Sequence, residues 1–324
     1  MKNQVILFAA GLTFLAISVQ AQLPIAGIHY PVGLEGIKGG SLPEPGMYFR
    51  DDNLFYSGTS DNPQNYSTLI YLQAPRLTWM TGWKFLGADY GMDVMVPFAY
   101  KKAKDHHDII VRTPGGSVTT TTISDGGSRF GVGTIELEPL LLSWHLSHFD
   151  FAAGYALWLP SGNNDTFSGV NLGNSSWTHM MTLGTVWYPD KEKTWAVSVL
   201  NHFEFNSIQS SSQIGTIHEP SGVAITSIIH VDTPCSVFTV EWGISKTICK
   251  ETDLGISGYY QQMFSSQTDA TVAFSDSSVA GIGPEIRTQI SQWGLSASLR
   301  YAYEFLADNR PQGHTINLTL TKRF

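Results

Sequence analysis

The sequence predicts an all-β protein: a single transmembrane antiparallel β-barrel of about 12 strands (14 possible), with short periplasmic turns and longer extracellular loops. Three observations predict it. The last residues alternate apolar and polar side chains up to a terminal aromatic. No stretch after the leader is apolar enough for a membrane-spanning helix. The connections between strands have two lengths that alternate along the chain. All three are typical of outer-membrane barrels.

The C-terminal stretch 314–324 has a period of two, which indicates a strand with one apolar face and one polar face. One face carries Ile316, Leu318, Leu320, Lys322 and Phe324, and the other carries Asn317, Thr319, Thr321 and Arg323. On these residues alone, an edge strand of a soluble sandwich is the alternative. Chain termini are seldom fixed in this way. The stretch resembles the closing strand of bacterial outer-membrane barrels, so we expect Phe324 to be the membrane-insertion signal read by the barrel-insertion machinery.

Residues 1–21 have the features of a secretory signal peptide. Lys2 precedes an apolar run that ends near Val19, and the small-residue pattern that follows predicts cleavage between Ala21 and Gln22. After the leader there is no apolar run of about 18 residues or more, so we expect no transmembrane helix. Only helices and closed barrels satisfy their backbone hydrogen bonds in lipid, so a membrane location requires a barrel. The predicted location is the bacterial outer membrane.

The composition also favours a barrel. Charged residues make up 14% of the chain, against roughly 25% in ordinary soluble domains, and aromatic residues reach 12%. The formal net charge of −8 argues against nucleic acid as a partner, because phosphate binding requires clustered Lys and Arg. Cys235 and Cys249 fall near opposite ends of one predicted strand, too far apart for a disulfide, so we expect two free thiols.

Segments with strict alternation place the strands. Apolar and aromatic residues occupy the odd positions of 293–305 and the even positions of 86–98. This register predicts that Leu299 faces lipid and that Ser298 faces the lumen. The apolar faces begin or end in aromatic residues, as girdles at the two membrane surfaces require. The twelve predicted strands are 45–57, 66–79, 84–99, 132–146, 148–160, 176–189, 193–205, 233–247, 251–264, 279–289, 292–305 and 314–324.

The connections between these strands alternate in size. Those after strands 2, 4, 6, 8 and 10 are tight, namely 80–83, Ser147, 190–192, the stretch around Lys250 and 290–291. The others are mostly longer, and the longest are 100–131 and 206–232. Short turns that face longer loops predict a barrel with both termini on the periplasmic side. No linker divides the chain, which predicts a leader (1–21), an N-terminal periplasmic or plug segment (22–44) and one barrel (45–324).

Two motifs have the residue types of reactive sites. The stretch 105–108 contains metal-ligand residues, but beside several lysines in a loop such a cluster is usually solvated, and we predict no metal site. Ser147, flanked by His145 and His148 and followed by Asp150, has the residue types of a lipid hydrolase. Neighbours in sequence are not a triad, whose partners meet through the fold. The sequence therefore predicts neither an enzyme nor a cofactor.

Charged residues at inward positions are candidates for the lumen face. Two interpretations stay open: a structural network, because buried charges must be paired, or a polar lumen that water or solute crosses. The candidates are Asp89, Asp93, Glu136, Glu138, Asp150, Glu204, Glu241 and Glu304, with Arg287 and Arg300 as counter-charges.

Five stretches carry a resemblance to one family. They are Leu42–Phe49, Lys84–Pro97, Ala153–Gly162, Gly281–Glu285 and Gln312–Thr315. Together they make the chain similar, from about Gly33 to Phe324, to the family named for the MetA-pathway of phenol degradation. The resemblance implies an outer-membrane barrel, distantly related to FadL-type transporters, that admits apolar molecules such as aromatic compounds. It supplies no catalytic residues.

A barrel of twelve strands lies between filled barrels of about eight strands and open channels of about 16–18, so a peptide segment could occlude its lumen. Residues 22–44, starting on the periplasmic side, are the candidate plug. Gly36, Lys38, Gly39 and Gly40 are the plug candidates, because glycine lets the backbone lie close against the wall. A disordered periplasmic tail is the alternative.

We therefore expect an outer-membrane channel for passive uptake of small hydrophobic, aromatic-type compounds. Its partners would be the lipid bilayer, a small apolar solute and the barrel-insertion machinery. The alternatives are a surface binding or structural barrel with a closed lumen, which would use loops 100–131 and 206–232, and an outer-membrane lipid hydrolase.

Overall fold

The computed structural model describes residues 28–60, 66–112, 118–163, 170–174, 176–207, 210–218, 224–232, 236–264 and 276–324, with side chains outside 105–125 and 208–235. The predicted signal peptide and Cys235 lie outside the described residues, whereas Cys249 is a free thiol, as predicted. No described helix is long and apolar enough to cross a membrane.

The described residues form sixteen strands and one turn of 3-10 helix, Ser291–Trp293. The strands are β1 (Gly46–Ser60), β2 (Tyr66–Phe85), β3 (Ala88–Met95), β4 (Phe98–Arg112), β5 (Val118–Val132), β6 (Glu136–His145), β7 (Phe149–Trp158), β8 (Thr178–Trp187), β9 (Trp195–Asn206), β10 (Ser210–His218), β11 (Ala224–Asp232), β12 (Ser236–Cys249), β13 (Thr252–Phe264), β14 (Ser277–Ile290), β15 (Leu295–Asp308) and β16 (Gln312–Arg323).

Twelve strands close into an antiparallel barrel in the order β1-β2-β3-β6-β7-β8-β9-β12-β13-β14-β15-β16. β1 completes the circle because it pairs with β2 on one side and with β16 on the other: Tyr48 lies opposite both Thr78 and Arg323. The last residue is part of this seam, since the N–H of Phe324 donates to the carbonyl of Met47 (3.0 Å). The structure confirms the predicted all-β barrel of twelve strands.

Alternation along each strand decides which side chains face outward. Leu299 is 49% exposed and its neighbour Ser298 is 7% exposed, as the predicted register requires. Exposed aromatic residues cluster near both ends of the strands, as in the girdles of membrane barrels. At the end with short turns they include Trp79, Phe149, Trp187, Trp195 and Trp293, and at the other end Trp177, Phe205, Tyr303 and Phe305.

One predicted turn was wrong. The stretch 80–83 belongs to β2, where the register with β3 shifts between Met80 and Lys84. A bulge inserts unpaired residues into a strand and interrupts the period of two, so in the sequence it resembles a turn. The actual β2–β3 turn is Leu86–Gly87, with φ of 52° and 80°. Two consecutive positive φ angles are typical of a type I′ hairpin turn.

The β8–β9 turn is fixed by a single carboxylate. Asp190 accepts hydrogen bonds from the backbone N–H of Trp195 (2.8 Å) and from the N–H and hydroxyl of Thr194 (2.8 and 2.7 Å). These bonds, led by the one from Trp195, lower the pKa of Asp190 to about 2, because they stabilise the ionised carboxylate.

The two longest predicted loops contain strands, which corrects the sequence prediction. The stretch 100–131 consists largely of β4 and β5, and 206–232 forms the separate hairpin β10–β11. Both stretches are polar, so the apolar period of two is missing. Their Thr, Val and Ile residues still favour extended backbone.

The hairpin β4–β5 extends the wall beyond β3 and β6. β2 pairs with β3 through its second half and with β4 through its first half, while β5 has no second strand partner among the described residues. Residues 170–173 lie against its inner side instead: Val170 is buried with Tyr66 and Ala103. An ideal Cβ on Gly131 would lie 3.3 Å from Leu172. The glycine therefore makes room for this inner layer.

Candidate functional site

The described N-terminal residues 28–45 run through the interior of the barrel. The N–H of His29 contacts Glu204 near the end with long loops, and the hydroxyl of Ser41 contacts Asp150 (2.7 Å) near the end with short turns. β1 then begins at the turn end. The segment therefore starts in the loop half and descends. Residues 22–27, where the predicted segment starts, lie outside the described residues, so the predicted start on the periplasmic side stays a prediction.

Three lumen carboxylates bind the backbone of this segment. Each accepts hydrogen bonds from one or two N–H groups: His29 to Glu204 (3.0 Å), Gly33 to Glu241 (2.7 Å), Glu35 to Glu241 (2.9 Å) and Ile37 to Glu285 (2.8 Å). An irregular segment inside a barrel has no neighbouring strand to accept its N–H groups, and buried N–H groups need acceptors. The carboxylates on β9, β12 and β14 take the place of that strand.

Two arginines hold the middle of the segment from its carbonyl side. Arg300 donates to the carbonyls of Gly33 (2.7 Å) and Leu34, and Arg50 donates to the carbonyl of Leu34 (2.7 Å). Arg50 also binds both oxygens of Glu35, each at 2.7 Å. Charge-assisted bonds of this kind are stronger than neutral ones. Both the N–H groups and the carbonyl groups of the segment backbone therefore form hydrogen bonds with the wall.

An apolar cluster fills the loop half of the lumen. Tyr30 and Leu34 of the segment are 2% and 0% exposed. They pack with Leu54, Ala74, Met95, Ala156, Trp158 and Met180 of the wall. Because these residues are inside the barrel, the cluster occupies part of the lumen in its loop half.

The plug candidates occupy the lower half of the segment. Gly39 donates to the carbonyl of Gly36 (2.9 Å), which closes a turn, and Lys38 takes a left-handed conformation with φ of 62°. Gly40 donates to the hydroxyl of Ser198 (2.9 Å). An ideal Cβ on Gly40 would lie 2.7 Å from both the N of Thr185 and the carbonyl O of Val199. Glycine is required there because the segment touches the backbone of the wall.

Ion pairs and hydroxyl groups fix the segment at the turn end. Lys38 pairs with Asp253 (2.7 Å). Asp150 accepts from the hydroxyls of Ser41 (2.7 Å) and Tyr188 (2.8 Å) and lies 3.4 Å from the Nζ of Lys193.

The structure shows which partners the two candidate hydrolase histidines contact. His145 lies 3.3 Å from Asp150 and 3.0 Å from the hydroxyl of Ser143, not of Ser147. His148 contacts the backbone carbonyl of Tyr188 (2.9 Å). The side chain of Ser143 is buried and lies outside the lining of the lumen cavity. Ser143 therefore positions His145, and His145 supports Asp150, which binds Ser41 of the segment.

A cavity of about 1110 Å³ lies between the segment and the wall and reaches from the loop half, at Tyr30, Glu136 and Met180, to the turn end, at Gly294 and Arg323. Its lining is mixed. Arg76, Asp93, Glu136 and Glu138 form a charged side on β2, β3 and β6, and Leu141 and Met180 contribute an apolar side. This is larger than the roughly 300–1,000 Å³ of typical small-molecule pockets.

All ten lumen candidates lie on the inner face, in three roles. Glu204, Glu241, Asp150 and Arg300 bind the segment; Asp93, Glu136, Glu138 and Arg287 line the cavity; Glu304 and Asp89 make contacts within the wall. Glu304 accepts from the hydroxyls of Tyr56 and Tyr259, and Asp89 pairs with Lys84 (2.6 Å).

Sequence reasoning missed several residues of the site. Arg50, Arg76 and Glu285 share the inward phase of their strands, so the period of two could have found them. Glu35 lies in an irregular segment and offers no such signal. The side chains of 105–108 lie outside the description, and in the described part of the chain no three His, Cys, Asp or Glu side chains are placed so that they could hold a metal ion.

The closed antiparallel barrel with an occupied lumen belongs to the class of outer-membrane β-barrels. Two solved structures of this class share the fold. An outer-membrane channel from Pseudomonas putida F1 has a TM-score of 0.61 and 14% identity, covering 92% of this chain and 100% of that chain. The β domain of the Bordetella autotransporter BrkA has a TM-score of 0.52 and 12% identity, covering 87% and 100%. At these identities the likeness concerns the fold.

The sequence identifies the family. It matches the MetA-pathway of phenol degradation family over residues 52–320, and the chain belongs to that family. The match begins within β1, so it does not include the segment 28–45. No curated protein matches the sequence significantly.

Proposed function

We propose that the protein is an outer-membrane channel for the passive uptake of small hydrophobic, aromatic-type compounds. Membership of a family named for phenol degradation supports the class of solute. One observation in the structure carries the proposal: an apolar cluster in the loop half adjoins a cavity of about 1110 Å³ that reaches the turn end, and Tyr30 and Met180 belong to both. A small apolar molecule that displaces Tyr30 or Leu34 would pass from the apolar cluster into the cavity.

The segment 22–44 is proposed as the constriction. Its described part contacts β1, β9, β12, β14 and β15, so we expect sugars and inorganic ions to be excluded while the segment is docked. Export by a cleaved leader at 1–21, and insertion through the C-terminal strand that ends in Phe324, belong to the same proposal. No cofactor takes part in it.

The test is uptake into proteoliposomes of a small aromatic hydrocarbon and of a sugar of similar size. Full-length protein is compared with a form that lacks 22–44. We expect hydrocarbon uptake well above empty liposomes, and sugar uptake only after truncation. Free passage of sugar through the full-length protein would instead make it a general porin.

The occupied lumen favours a second candidate, a surface binding barrel. In that case the hairpins β4–β5 and β10–β11 would engage a partner, and the segment would be a permanent part of the core. Transport of neither solute by folded protein would favour this candidate. Deletion of 206–232 should then abolish binding of the partner without changing permeability.

A further inference from the structure

The charged side of the lumen cavity has an excess of carboxylates. Asp93 and Glu136 both pair with Arg76, at 3.6 and 3.3 Å, so one guanidinium serves two acids. Glu138 lies directly opposite Asp93 in the β3–β6 pairing. Like charges directly opposite each other in a sheet are destabilising. The three carboxylates therefore need more positive charge than Arg76 supplies.

The nearest other cation does not supply it. Arg50 binds Glu35 (2.7 Å) and Asp52 (2.8 Å), which already outnumber it. The acids that contact the N-terminal segment differ, because Glu204, Glu241 and Glu285 are satisfied by its N–H groups. Asp93, Glu136 and Glu138 accept no N–H group of the segment among the described residues.

Their oxygens are short of partners. Oδ1 of Asp93 and Oε1 of Glu136 are buried and have no hydrogen-bond partner among the described residues. Glu138 is 5% exposed, lines the cavity, and makes no hydrogen bond or ion pair with any described side chain. Leaving such a group unpaired is costly. A buried carboxylate that faces a cavity without a partner indicates a missing cation or donor.

The residues around Glu138 also indicate what kind of group would bind beside its carboxylate. Gly154 on β7 makes room for the carboxylate itself: an ideal Cβ at that position would lie 2.5 Å from Oε1 of Glu138 and 3.4 Å from the Cδ2 of Leu141. Met180 and Leu200 line the same cavity. A carboxylate and an apolar surface thus lie side by side in the wall of the cavity, next to Gly154.

We propose that this part of the cavity is a binding site for organic cations, in which Glu138, backed by Asp93 and Glu136, binds an ammonium group and the surface of Leu141 and Met180 binds an apolar or aromatic body. The inference deepens the proposed function, on which it rests for the passage of the solute. It specifies that the channel favours arylalkylammonium ions over arylcarboxylates of the same size.

The test is isothermal titration calorimetry of 2-phenylethylammonium and of phenylacetate against the full-length protein in detergent, with empty micelles as the blank. We expect saturable binding of the ammonium ion and at least tenfold weaker binding of phenylacetate. Glu138→Gln keeps the shape and removes the charge, so it should weaken ammonium binding at least tenfold. Asp89→Asn is the matched control: its carboxylate lies on the same inner face but is already paired with Lys84, so binding should be unchanged.

A second variant keeps the proposal testable if Glu138→Gln does not fold, which heat-dependent electrophoretic mobility reveals. Gly154→Ala retains every charge, but its Cβ would lie 2.5 Å from Oε1 of Glu138 and so displaces the carboxylate, which should also weaken binding about tenfold. Equal affinity of the wild type and both variants would overturn the site, as would equal binding of phenylacetate. The absence of saturable binding to folded protein would also overturn the site, because the three carboxylates would then be neutralised by protons and not by a bound cation.

Failure of this proposal is distinguishable from failure of the channel function. Calorimetry reports binding whether or not the barrel conducts. Uptake of a neutral aromatic hydrocarbon by proteoliposomes reports passage whether or not cations bind. Hydrocarbon uptake with no ammonium binding would refute the cation site alone.

Discussion

At Gly40 the N-terminal segment lies directly against the backbone of the barrel wall, so Gly40→Ala should loosen the segment. An added Cβ would lie 2.7 Å from the N of Thr185 and from the O of Val199, whereas Cβ atoms essentially never come within 3.0 Å of other heavy atoms. Both atoms belong to paired strands and cannot rotate away. The segment itself must therefore move by at least about 0.3 Å.

The cost has two parts. Overpacking of this kind costs about 1–3 kcal/mol. Movement of Gly40 also weakens its hydrogen bond to the hydroxyl of Ser198, which contributes about 0.5–1.5 kcal/mol. A total of about 1.5–4.5 kcal/mol raises the undocked fraction of the segment roughly tenfold or more, since each 1.4 kcal/mol is a factor of about ten. The contacts above Gly40 remain, so most molecules should still have the segment docked.

The assay is uptake of a small sugar into proteoliposomes, together with limited proteolysis of the segment. Gly40→Ala should raise sugar uptake and make residues 22–44 easier to cleave. Gly82→Ala is the matched control, because nothing lies within 4 Å of an ideal Cβ at Gly82. Wild-type uptake and protease resistance in Gly40→Ala would refute the close-contact reasoning. An equal leak in Gly82→Ala would show that the effect is not specific to the segment.

Three further predictions test the apolar cluster, a turn and the register. Leu34→Ala should destabilise the docked segment by about 2–5 kcal/mol, because the side chain is fully buried, and should lower the melting temperature and admit sugar; an unchanged melting temperature would contradict this. The amide signal of Trp195, followed by NMR, should titrate with a midpoint near pH 2, because the pKa of Asp190 is lowered in the folded protein. The hydrogen bonds that Asp190 accepts are fully formed above its ordinary pKa of 3.8 and are lost as the pH falls through about 2. A midpoint near pH 4 would contradict these hydrogen bonds. Leu299→Arg should cost about 2–4 kcal/mol in urea unfolding and Ser296→Arg, which faces the cavity, much less; equal costs would contradict the register.

The barrel was predictable because its wall obeys a local rule. Each strand separates lipid from lumen, so every second residue reports which side it faces, and a residue such as Leu299 is assigned without knowledge of its neighbours. The same rule fails where the wall extends beyond the membrane. In β4, β5, β10 and β11 it produces no apolar signal, and the sequence therefore predicts loops there.

The path of the N-terminal segment was not predictable, because it depends on contacts between residues more than 150 positions apart, such as His29 with Glu204. Its glycines indicated a close approach to the wall. They did not indicate which strand would be approached or in which direction the chain would run. The direction follows from one constraint that the sequence contains only implicitly: β1 starts at the turn end, so the preceding residues must come down to it.

The same dependence explains why the roles of the lumen acids stayed open. Glu138 and Glu241 have the same inward phase and similar burial, and nothing local in the sequence separates them. Glu241 accepts the N–H groups of Gly33 and Glu35, so its carboxylate is part of the structure. Glu138 faces the cavity and receives no such donor from the described residues. A carboxylate in this lumen is structural where the segment passes over it and available to a solute where it does not, so the route of one irregular segment divides the polar lumen into a core and a binding surface.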